Sequence, residues 1–157
     1  SGNRPRLGYY VQTVTARCAI TRAMNVQERG PARPSIALVD GDATIRHARQ
    51  LMLRAEGNDV RAYPSCAAAL ADPVAIASDC VVADVEMGAI GGIELLRLMR
   101  AKGWQGAGIL LADVVAPALR LLAIDEGFVV MRPAALDDRR LLTAVDRALG
   151  RSAADYA

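Results

Sequence analysis

The sequence predicts an open α/β sandwich, a parallel sheet of five strands covered by helices on both faces. Three observations predict it. From residue 35 onward, short apolar runs alternate strictly with amphipathic stretches. The runs are mostly continuous rather than alternating, as strands buried on both faces are. Turn or capping residues stand at nearly every junction. Strict β–α alternation of this kind gives a doubly wound parallel sheet.

Each element has its own signal. Ser35–Val39 is an apolar strand that ends on Asp40-Gly41-Asp42. A helix follows over about 43–55, with Ile45, Ala48, Leu51, Met52 and Ala55 at helical spacing, and Gly57-Asn58 ends it. Asp59–Tyr63 alternates and reads as the second strand. Ser65 is a natural N-cap for a short helix over 66–71, and Pro73 breaks the chain. The third strand, Asp79–Asp84, ends on a carboxylate and runs into the glycine-rich loop Gly88-Ala89-Ile90-Gly91-Gly92. A third helix spans about 92–102, and the fourth strand is Ile109–Ala112. Asp113 opens a fourth helix that reaches about Glu126, with Pro117 in its first turn and Gly127 as its stop. Phe128–Met131 is the fifth strand; Arg132-Pro133 precedes a last helix from Leu136 to Leu149, with Asp137 and Asp138 in its first turn. The expected strand order is flavodoxin-like, 2-1-3-4-5, which gathers the ends of strands one, three, four and five at one edge.

Composition bounds the function. The 157 residues suffice for one domain with a real core. A net charge of +2 exerts no overall pull toward nucleic acid. Six arginines and one acid stand in residues 1–34, leaving 13 bases against 16 acids beyond them. Residues 1–34 are expected to be an N-terminal extension, partly flexible or artificial, with Met24 as a natural start. The folded domain is expected over 35–150 and a tail over 151–157. Cys18, Cys66 and Cys80 lack metal-ligand spacing and read as reduced thiols. His47 is the only histidine and is expected on an exposed helix face. No apolar run approaches the ~18 residues of a membrane span. No Gly-x-x-x-x-Gly-Lys-Ser/Thr loop, dinucleotide fingerprint or nucleophile–base pair is present, so no catalytic residue is assigned and an enzyme is not expected.

The carboxylates carry the chemistry. Asp40, Asp42, Asp84 and Glu86 are expected to share one acidic pocket, which needs a cation, a proton or a basic partner to be tolerated. Mg²⁺ suits such an oxygen-lined site. Arg132, permanently charged, is the tethered alternative, paired with Asp84 at rest.

Val39-Asp40-Gly41-Asp42-Ala43-Thr44-Ile45-Arg46, the segment Asp79–Met87 with Gly92 beyond it, and Arg132-Pro133 together resemble the receiver domain of two-component response regulators. The resemblance covers roughly residues 35–149. It implies Asp84 as the acceptor of a phosphoryl group from a sensor histidine kinase, with Mg²⁺, an acidic pair, a hydroxyl and a lysine neutralising the transferred charge. Several positions depart from that pattern. Gly41 stands in place of the second acid, Ala112 in place of the switch hydroxyl and Val129 in place of the switch aromatic. Arg132 replaces the lysine, and Gly88 the usual loop proline.

The expected function is therefore an atypical bacterial, cytoplasmic receiver that acts by phosphorylation-independent protein–protein interaction. The alternative is a working phosphoacceptor on Asp84. Mg²⁺ binding is expected to be weakened, and no other cofactor is expected. Expected partners are a sensor histidine kinase or another signalling protein, and a second copy through the face of the fourth helix, fifth strand and fifth helix. Leu119, Leu122, Ala123, Val145 and Leu149 are candidates on that face. No membrane contact and no direct nucleic-acid binding by this segment are expected.

Overall fold

The computed structural model describes residues 32–133 and 139–151. The expectations for residues 1–31, for Leu136, Asp137 and Asp138, and for residues 152–157 lie outside the described residues. The element order is β1 (Ser35–Val39), α1 (Ala43–Ala55), β2 (Asp59–Tyr63), α2 (Cys66–Ala71), α3 (Pro73–Ile76), β3 (Cys80–Asp84), α4 (Gly92–Ala101), β4 (Ala107–Leu111), α5 (Pro117–Asp125), β5 (Val129–Met131) and α6 (Arg139–Ala148).

The sheet is parallel throughout, in the order β2-β1-β3-β4-β5. Alternate side chains of the central strands β1, β3 and β4 enter opposite cores. Ala37, Val39, Val81, Ala83 and Leu110 face Cys66, Ala69, Leu95, Leu96, Met99 and Ala123 from α2, α4 and α5. Ile36, Leu38, Val82, Ile109 and Leu111 face Leu53 of α1 and Leu141 and Val145 of α6. This two-sided burial is why the strands are continuous apolar runs.

Several elements differ from expectation. The inward face of α1 is turned from the expected one: Arg49 and Leu53 are buried, whereas Leu51 is exposed. Pro73 opens the one-turn helix α3, capped by Asp72, instead of only breaking the chain. Asp113 does not open a helix; α5 begins at Pro117 with Ala116 as its N-cap. β5 starts at Val129, because Phe128 turns into the core and its N–H bonds the carbonyl of Ala123 at 2.7 Å. Ala123 and Val145 belong to the core, so the exposed apolar side chains around α5 and β5 are Leu121, Ile124 and Val129, with Leu122 at the margin. His47 is exposed, as expected, and among the described residues Cys66 and Cys80 are free and buried. Burial, then Asp79, pushes the Cys80 thiol up to about 12, so it stays protonated.

Trp104 lies at the end of the sheet opposite Asp84. Its Nε1 donates to the carbonyl of Ser78, just ahead of β3, at 2.9 Å, and Arg100 stacks over its ring at 4.2 Å. Its fluorescence therefore reports unfolding of the core, not events at Asp84.

Candidate functional site: an acidic pocket at the carboxyl edge

β1 and β3 are neighbours in register, Val39 opposite Ala83, so their ends deliver Asp40 and Asp84 side by side. Asp40 is 2 % exposed. A buried carboxylate must have partners, and this one has two. Its Oδ1 accepts the N–H of Asp42 at 2.9 Å. Its Oδ2 accepts Nη1 of Arg49 at 2.5 Å. The backbone carbonyl of Asp40 accepts Nη1 of Arg46 at 2.8 Å. Arg49 is itself only 9 % exposed, so this pair is the most enclosed ion pair among the described residues.

Asp42 does not join the pocket. It is the N-cap of α1, and its Oδ1 accepts the N–H groups of Thr44 at 2.9 Å and Ile45 at 3.0 Å. Those bonds satisfy two of the orphan donors of the first turn and turn the carboxylate toward the helix. Gly41 leaves the intervening position open: a Cβ there would meet nothing within 4 Å.

Asp84 is half-buried at the mouth of a cavity of about 160 Å³ that Val85, Glu86, Ala112, Asp113 and Leu119 also line. Burial, then the charge of Asp40, pushes its carboxyl up to about 6; Arg49 opposes the shift, and Asp113 and Glu86 add to it. Asp40 and Glu86 were expected beside Asp84. Asp113, read from the sequence as a helix opener, instead adds a further negative charge beside Asp84. Ala112 is buried, and its N–H bonds the carbonyl of Met131 at 3.0 Å. Arg132 follows Met131, is exposed, and among the described residues makes no ion pair with Asp84. The expected resting partnership of Asp84 and Arg132 is thus corrected: the cation in the pocket is Arg49, which stands on α1 and was missed. Its signal in the sequence was its spacing, four residues from both Ile45 and Leu53 on the inward face.

The loop after Asp84 is shaped by glycines. Gly88 takes φ +58°, a left-handed conformation closed to proline. The N–H of Gly92 returns to the carbonyl of Val85 at 3.1 Å and starts α4 directly behind Asp84.

The residues do not fit a metal ion well. Among the described residues, no three His, Cys, Asp or Glu side chains are placed to hold one. Asp40 already uses both oxygens, and Asp42 is spent as a cap.

The charge state of Asp84 has a measurable consequence. Its folded pKa, about 6, lies above the ordinary value of 3.8, so between these pH values the folded chain binds more protons than the unfolded chain. Stability contributed by this group therefore falls as pH rises through that window and stays at the lower value above it. Asp84→Asn is expected to stabilise the domain at pH 7 by on the order of 1–2 kcal/mol, a figure discounted for partial solvent exposure, and to flatten the slope in that window. Urea titrations at a series of pH values check both.

The family description "Response regulator receiver domain" matches residues 36–146. The transcriptional regulatory protein FixJ of Azorhizobium caulinodans is 31% identical over 123 residues, which cover 78% of this chain and 58% of FixJ. The chain thus matches somewhat over half the length of that relative. Among solved structures, the chemotaxis protein CheY4 of Vibrio cholerae aligns with a TM-score of 0.67 and 21% identity over 75% of this chain and 100% of that one. The response regulator TrrA of Thermotoga maritima, solved in complex with Mg²⁺ and BeF, aligns with a TM-score of 0.62 and 23% identity over 74% of this chain and 99% of that one. The strand order, the carboxylates at the ends of β1 and β3 and the extent of the family match agree: this chain belongs to the response regulator receiver domain family.

Proposed function

We propose that this receiver-type signalling domain of a two-component system takes its state from protein contacts, without metal-dependent phosphorylation of Asp84. One observation carries the reading. The two positions that would report a phosphoryl group at Asp84 hold Ala112, a buried methyl group, and Val129, an exposed aliphatic. A ligand shifts an equilibrium only through contacts that differ between the two states. A phosphoryl group on Asp84 finds no hydroxyl at residue 112 to draw inward and no aromatic at residue 129 to relocate. The chain then works as a cytoplasmic, non-enzymatic binding module. No helix among the described residues is long and apolar enough to cross a membrane.

The contact face under this reading is α5 and β5, where Leu121, Ile124 and Val129 are 64%, 62% and 51% exposed. Its occupant is a second copy of this chain. Arg120 and Asp125, of opposite sign, flank the apolar stripe, which is compatible with a self-complementary two-fold contact. Ile124→Glu is expected to convert a dimer to a monomer in sedimentation without loss of stability; a monomeric parent chain would count against self-association.

A working phosphoacceptor is the second reading, favoured by the position of Asp84 at the cavity mouth, where a donor can reach it. Its carboxylate oxygen would attack the phosphorus of a kinase phosphohistidine, the P–N bond would break, and the imidazole would leave. Incubation with acetyl phosphate, with and without Mg²⁺, followed by intact mass, decides between the two. The proposal expects no adduct. A Mg²⁺-dependent adduct that Asp84→Asn abolishes would establish the second reading.

A further inference from the structure

We propose that the guanidinium of Arg49 is a resident counter-ion that stands in for the divalent cation of this pocket and makes it indifferent to Mg²⁺. The inference concerns the same site but holds whether or not Asp84 takes a phosphoryl group. It rests on four placements. Asp40 is the one carboxylate of the acidic pair that this chain retains, and Arg49 Nη1 meets its Oδ2 at 2.5 Å. Both groups are nearly excluded from water, so their attraction is little screened. The other oxygen of Asp40 is taken by the N–H of Asp42. The position of the second acid is Gly41, and the nearby Asp42 carboxylate is held by the first turn of α1.

The physical comparison favours the guanidinium. Mg²⁺ gives up its water shell reluctantly and asks for near-octahedral oxygen ligands. Here it would have to displace a permanently charged, charge-assisted hydrogen bond to reach Asp40, the one acid of the pair that stands beside Asp84. Arg49 is tethered to α1, whose Leu53 is fully buried, so the cation stays beside the pocket at any metal concentration. Its charge also reaches Asp84, where it opposes the crowding of the carboxylates. Gly41 and Arg49 are therefore one coupled departure: the second acid is gone, and a positive charge fixed on α1 supplies what the metal would have supplied.

The test is a Mg²⁺ titration followed by amide chemical shifts of residues 40–44 and 84–86, with Mn²⁺ line broadening at the same amides as a second readout. The parent chain is compared with Gly41→Asp and with Gly41→Asp combined with Arg49→Leu. The added aspartate has open space. The parent chain is expected to show no saturable, localised shift. The double variant is expected to bind Mg²⁺ roughly tenfold more tightly or better than Gly41→Asp alone. If Arg49→Leu does not fold, Arg49→Gln keeps a donor for Asp40 without the charge and takes its place. Saturable Mg²⁺ binding by the parent chain at Asp40 and Asp84 would overturn the inference. So would folded double variants that bind no better than Gly41→Asp. Neither result depends on phosphorylation, so the failure of this inference and that of the preceding proposal are told apart.

Discussion

Arg49→Leu is expected to destabilise the domain by about 3–5 kcal/mol, the cost of breaking a buried ion pair from one side. The leucine itself would be welcome on a helix face that already buries Leu53. The loss comes from Asp40, 2 % exposed, which would keep its charge or take up a proton with only the Asp42 N–H as a side-chain partner. Asp40→Asn alone fails for the complementary reason, because it leaves the guanidinium buried and unpaired. The double variant Asp40→Asn with Arg49→Leu is expected to recover most of the loss, because replacing both members of a buried pair is often neutral. Urea unfolding followed by Trp104 fluorescence gives all three values, and the non-additivity of the cycle isolates the pair. Additive losses would mean that Arg49 contributes only packing.

Gly92→Ala is the second large effect, expected to cost about 2–3 kcal/mol through overpacking. A Cβ on Gly92 would lie 2.3 Å from the carbonyl oxygen of Asp84 and 2.9 Å from Cδ2 of Leu110. The leucine methyl can give way, but the backbone of β3 cannot without breaking its ladder to β4. The start of α4 must then lift away, and the bond from the Gly92 N–H to the Val85 carbonyl goes with it. The displacement falls directly on the residue that presents the Asp84 carboxyl. Gly41→Ala is the matched control. Its Cβ meets nothing within 4 Å, so it is expected to be neutral or to stabilise by up to about 1 kcal/mol through the unfolded chain. Equal losses at the two glycines would contradict the packing argument.

Most of the architecture was legible because the signals were local. The runs at residues 36–39, 80–83 and 109–111 are buried on both sides and are apolar without interruption. Asp42, Ser65 and Asp72 all cap helices, and Ser65 is the one whose local sequence signals it. The pocket was legible only in part. That Asp40 and Asp84 meet follows from β1 lying beside β3. Arg49 was hidden because a lone arginine in a helix normally lies in solvent, and Leu51 offered a more apolar face one step round. The contribution of Asp113 depends on how the chain turns after β4, which no periodicity encodes. The direction of the α5 face was unclear because that helix is apolar on nearly every side, with Leu121, Leu122 and Ile124 all outward.

Under the proposed function, this pocket carries its own cation, Arg49, and lacks the groups that would transmit a phosphoryl signal. The most direct test is the amide spectrum of the parent chain with Mg²⁺ and beryllofluoride together, compared with the spectrum without them. The signals of residues 111–131, from the end of β4 through α5 and β5, are expected to stay in place. Saturable shifts spreading from Asp84 through Ala112 to Val129 would contradict that function and show a pocket that still reads a metal-bound phosphoryl mimic.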